Sequence, residues 1–151
     1  MRQVAYVMHF RGHASRSGDA HTELRFSSIG TSCKIETTLG SEGLQSSLQA
    51  TQGDVAFFEA ELTLTPPDSF TGRGTLTVGD ASAHVLRFAT VHPGHLAPST
   101  QPGMMAGTVS LHIDGGEGQF ASATGFISST FTLTDTGDLS DYQCGLIFLP
   151  D

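Results

Sequence analysis

Across residues 4–12 the side chains sort with a period of two. Val4, Tyr6, Met8 and Phe10 fall on one face, and Ala5, Val7, His9 and Arg11 on the other. That spacing belongs to a strand rather than to an amphipathic helix. Similar runs recur along the chain, punctuated by Gly, Pro, Asp and Ser. Strands are expected at 4–12, 21–29, 33–39, 55–65, 70–78, 84–92, 105–113, 126–134 and 142–149. Residues 43–51 read as weak strand or loop. Residues 93–103 carry Pro93, Pro98 and Pro102 and read as an irregular loop. Eight to ten short strands with no helix and short connections give an antiparallel all-β fold, either a closed barrel or a sandwich.

A chain of 151 residues is expected to form one domain, 1–151, large enough to bury a core. Its formal charge of -8 and single lysine, Lys34, exclude the basic face that nucleic acid or an anionic membrane needs. Only 15% of residues are charged, which leaves outward apolar faces to cover and predicts self-association. No segment has the length of a membrane span, and residues 1–9 enter a strand pattern directly, without the apolar core of a signal peptide. The expected location is cytoplasmic, and Cys33 and Cys144 are then expected as free, buried structural thiols, with a disulfide or a catalytic thiol as the alternatives.

The densest cluster of glycine runs from His112 to Gly125, as His-Ile-Asp-Gly-Gly-Glu-Gly-Gln-Phe-Ala-Ser-Ala-Thr-Gly. Glycine reaches positive φ without a Cβ clash, so Gly115 or Gly116 is expected to do so in a turn after Ile113. Phe120 can fold back as a plug, with Ala121 and Ala123 leaving it room. A phosphate-cradling loop would require a following helix, and residues 126–134 are β-rich instead. This stretch and the strands after it resemble the corresponding part of allene-oxide-cyclase-like and dirigent-like β-barrels. The resemblance rests on Gly115, Gly116, Gly118, Phe120 and Gly125 and covers about the last 45 residues. It implies an antiparallel, calycin-like barrel of about eight strands with an apolar cavity. It further implies a cytoplasmic homo-oligomer, a dimer or trimer, and, in members that are enzymes, cofactor-independent cyclisation or isomerisation. The matching glycines and phenylalanine are structural positions and bring no catalytic residues with them.

Candidate chemistry must therefore come from polar side chains in the strands. Glu59 and Glu61 share a face with Val55 and Phe57, opposite Phe58, Ala60, Leu62 and Leu64. If the Phe57 face points inward, Glu59 is a buried general base or acid; if the Leu62 face does, both carboxylates are solvated. His9 and Arg11 share a face with His13 and could bind a carboxylate or enolate at the barrel mouth, or form a solvated face. Tyr142 shares a face with Cys144, Leu146 and Phe148 and is either a core tyrosine or a hydrogen-bond donor to a ligand carbonyl. His112 and Asp114 could pair as base and orienter, but no nucleophile motif accompanies them. His92 and His95 have local metal-ligand spacing without a third ligand, so no metal and no cofactor are expected, and their loop reads as a lid. The expected site is thus Glu59, His9, Arg11 and Tyr142. The expected function is a cofactor-independent isomerase or cyclase for a small apolar metabolite. The alternatives are a barrel that binds such a molecule without chemistry, and a structural or assembly domain. A cavity lined by polar groups favours the first, an aliphatic cavity the second, and a filled interior the third.

Overall fold

A computed structural model describes residues 1–18 and 21–151. Ten strands form one antiparallel sheet: β1 (Arg2–Arg16), β2 (Glu23–Gly40), β3 (Gly43–Ala50), β4 (Ala56–Thr65), β5 (Ser69–Val78), β6 (His84–Thr90), β7 (Gly94–Pro98), β8 (Met104–Glu117), β9 (Thr124–Thr134) and β10 (Asp138–Leu149). Eight of them close into a barrel-like ring in the order β1-β10-β9-β8-β6-β5-β4-β2, with β2 returning to β1. β1 makes the closure because it is long enough to pair twice. Residues 2–13 run against β10, and residues 8–16 against β2. Single 3₁₀ turns at Asp80–Ser82 and Gly118–Phe120 are the helical elements among the described residues.

Three expectations about elements are corrected. The two strands expected at 21–29 and 33–39 are one, because Gly30, Thr31 and Ser32 continue the ladder instead of turning. The segment at 93–103 contains β7, which pairs with β5 and β8 and patches the wall where β6 stops. It is wall and not lid. Its prolines did not prevent this because Pro98 ends the strand and Pro93 precedes it. The glycines after Ile113 lie inside β8 and not in a turn. Arg87 faces both Asp114 and Gly115, a register shift in the β6–β8 ladder, and Gly115 takes φ 69°. This is a β-bulge with glycine in the left-handed position. The reversal comes later, at Gly118–Phe120, where Phe120 is buried.

Four inward glycines each sit opposite an aromatic ring on the neighbouring strand. The pairs are Phe10 with Gly30, Phe70 with Gly94, Phe131 with Gly107, and Tyr6 with Gly145. In each pair the ring occupies the space that a Cβ on the glycine would need. Glycine lets the strand bend, and the ring restores the apolar cover that the glycine lacks. The interior is otherwise aromatic and aliphatic: Phe58 stacks on Phe88 at 4.9 Å, and Phe26 and Phe70 meet Phe131 edge-on at 5.3 and 5.9 Å. Beyond Ser32, β2 leaves the ring and pairs with β3 alone. The two strands form an arm outside the barrel, and every residue of β3 is exposed.

Candidate functional site

On β4 the burial alternates strictly. Phe58, Ala60 and Leu62 face the interior, and Glu59 and Glu61 face solvent. The four candidate residues all lie on the outer wall. Glu59 and Arg11 line one shallow groove that crosses β1, β2 and β4. His9 lies apart from it. Its ring stacks on Tyr142 at 4.3 Å with planes 4° apart, and its Nε2 is 2.9 Å from Ser140 Oγ. Partial burial, then the neighbouring Arg11, lower the pKa of His9. Tyr142 is 49% exposed, so of its two expected roles that of a core tyrosine is corrected. The structure therefore joins Arg11 to Glu59 and His9 to Tyr142. It does not converge the four on one pocket, and none lines the interior.

The remaining candidates are also external. Glu61 lies 3.3 Å from Arg25 and 3.8 Å from Arg73, a solvent-exposed charge cluster across three strands. His95 lies 3.5 Å from Asp68, and His112 packs edge-on against Phe126 at 5.4 Å. Among the described residues no three His, Cys, Asp or Glu converge as a metal site would require. Cys33, half-buried at the base of the arm, and Cys144, exposed on the outer wall, are unpaired thiols, which corrects their expected burial.

The interior holds a polar cluster that period-two counting passed over. Asp141 and Gln143 project inward from β10 and are essentially inaccessible to solvent. Ser129 Oγ donates to Asp141 Oδ1 at 2.7 Å, and Gln143 Nε2 donates to Asp141 Oδ2 at 2.7 Å. The Tyr6 hydroxyl donates to Gln143 Oε1 at 3.4 Å. Burial pushes the Asp141 carboxyl above its ordinary range, and the hydrogen bonds from Gln143 and Ser129 pull it back only in part. Burial, then the charge of Asp141, push the Tyr6 phenol upward as well. The sequence signal was present: Asp141 and Gln143 alternate with Leu139, Ile147 and Leu149 on one face of β10. The opposite face, with Tyr142, Cys144, Leu146 and Phe148, is as apolar in sequence, so periodicity alone does not tell the two apart.

Chemistry at this cluster is limited by space. The interior void that touches Ser129 and Asp141 has a volume of about 20 Å³. That holds roughly one water molecule and no metabolite. Phe26, Phe58, Phe88 and Phe131 fill the remainder. No helix among the described residues is long and apolar enough to cross a membrane. Comparison with family models, with curated proteins and with solved structures returns no match for this chain.

Proposed function

We propose that this protein is an assembly or interaction module, a filled β-barrel that acts through its outer wall and its projecting arm. The observation that carries this reading is the interior void of only about 20 Å³, where a metabolite needs a few hundred. Kinship with the allene-oxide-cyclase-like group is part of the proposal at the level of fold. The eight-strand ring and the glycine-rich bulge before Phe120 support it. Self-association belongs to the same reading, supported by the exposed apolar residues Ile35, Leu39, Leu44 and Leu48 on the arm. A cytoplasmic home suits the two unpaired thiols.

A second reading, the cofactor-independent isomerase or cyclase with a small apolar metabolite as substrate, has one observation in its favour. Asp141 is a buried carboxyl with a raised pKa, held by Ser129 and Gln143 in apolar walls. It requires the phenylalanines around the void to move aside for the substrate. Titration with a fluorescent fatty acid and with small aromatic probes separates the two. The assembly reading expects no saturable uptake at one molecule per chain. Stoichiometric binding that is weakened in Asp141→Asn would overturn it in favour of the cavity.

A further inference from the structure

The arm ends in β3, and β3 is an edge strand of unusual composition. Its sequence, Gly-Leu-Gln-Ser-Ser-Leu-Gln-Ala, contains no charged residue and no proline, and it pairs with β2 alone. Proteins ordinarily blunt such edges with lysine, proline or a bulge, because a row of unpaired N–H and C=O groups templates another strand. None of these devices is present, although the chain as a whole carries a formal charge of -8. The arm is also amphipathic. Cys33, Ile35, Thr37 and Leu39 of β2 lie opposite Ala50, Leu48, Ser46 and Leu44 of β3 on one face. Lys34, Glu36 and Thr38 lie opposite Gln49, Ser47 and Gln45 on the other. A two-stranded ribbon is marginal in water, and three or more strands are needed for independent stability.

Resting on the assembly reading, we propose that β3 pairs antiparallel with β3 of a second copy of this chain, about a two-fold axis through Ser46. The backbone fixes which groups are free to do so. Thr51 N–H donates to the Ser32 carbonyl at 2.9 Å, so odd-numbered residues of β3 point their backbone groups at β2. Leu44, Ser46, Leu48 and Ala50 therefore present theirs to solvent. With Ser46 opposite Ser46 of the second copy, Leu44 of each chain falls opposite Leu48 of the other. All three pairs bring the free edge groups together. They also place leucine against leucine on the apolar face, where cross-strand neighbours stabilise a sheet. Glu42 falls opposite Ala50 of the second copy, so no like charges meet across the seam. The same register copied on both chains is what an isologous contact requires. A strand of eight residues is roughly 27 Å long. The seam it makes is smaller than the roughly 800 Å² per partner of a standard interface, so the dimer is reversible in the micromolar range.

Sedimentation of the full chain across micromolar concentrations tests this, with two variants. Ser46→Pro removes an N–H that points away from β2, so the arm itself is kept. It is expected to weaken dimerisation by about tenfold or more, the loss of its central bonds. In a Cys33→Ser, Cys144→Ser background, Ser46→Cys is expected to cross-link on oxidation, since the two Cα atoms of a hydrogen-bonded pair lie about 5.5 Å apart. Leu39→Cys, which lies on β2 away from the seam, is expected not to. A wild-type chain that stays monomeric throughout, a dimer indifferent to Ser46→Pro, or equal cross-linking at both positions would overturn the proposal. Any of these leaves the assembly reading standing or falling on the ligand titration alone.

Discussion

Asp141 is the residue whose environment departs furthest from that of a free side chain. Its folded pKa is raised above its ordinary value by burial, so the folded state binds the proton more tightly than the unfolded chain does. Its contribution to stability is therefore most favourable below the ordinary carboxyl range and declines as pH rises toward the folded pKa. Asp141→Asn should remove this slope. Ser129 can still donate to the remaining oxygen, and Gln143 can turn its amide oxygen toward the new NH₂ group. Urea unfolding from acid to neutral pH is expected to show Asp141→Asn gaining on the wild type as pH rises. Asp141→Ala leaves the Ser129 and Gln143 donors without their partner and is expected to cost about 1–3 kcal/mol. A wild-type profile that rises with pH over that window, relative to Asp141→Asn, would contradict the sign.

Elements differ in how plainly the sequence showed them. The inward face of β4 was legible because Phe58, Ala60 and Leu62 are apolar and Glu59 and Glu61 are not. β10 is ambiguous because it is apolar on both faces, and the inner one carries Asp141 and Gln143, which bond each other and residues of β1 and β9. Glu59, His9, Arg11 and Tyr142 are legible as polar side chains of strands, but which faces point inward depends on how the ring closes, and it places all four outside and Asp141 and Gln143 inside. The continuity of β2 was hidden because Gly30 reads as a break, and only Phe10 on another strand explains its place in a ladder. The arm, being outside the ring, should be dispensable to it. Ser32 and Thr51 form a hydrogen-bonded pair, so residues 33–50 can be replaced by an Asn-Gly turn that closes the hairpin there. The shortened chain is expected to melt within a few degrees of the full one at low concentration, since the arm contributes no residue to the core cluster. A loss of cooperative melting would show that the ring depends on the arm.

The whole molecule is held by contacts between distant parts of the chain. Most neighbouring residues are far apart in sequence, and the ring is not closed until β1 meets β10. Loop closure must precede the reward of such pairings, so refolding is expected in milliseconds to seconds rather than microseconds. Stopped-flow fluorescence of Tyr6 and Tyr142 checks the rate. A chain lacking residues 138–151 should fail to fold at all, because β10 is the partner of both β9 and β1 and carries half of the buried polar cluster. Circular dichroism showing a native-like sheet in that truncated chain would refute the closure argument.

The pairing of Arg2 with Leu149 also decides how the molecule answers a pull. The two ends leave side by side from adjacent antiparallel strands, and the Met1 ammonium touches the Asp151 carboxylate. A force that draws the ends apart therefore acts across the β1–β10 ladder. It loads one pair of hydrogen bonds at a time, as a zipper opens, and never the whole row in shear. The seam that completes the ring is thus its mechanically weakest line. A tether fixed to both ends would peel the cylinder open there at low load, while the same tether fixed across the width of β4 and β8 would meet the full resistance of the wall.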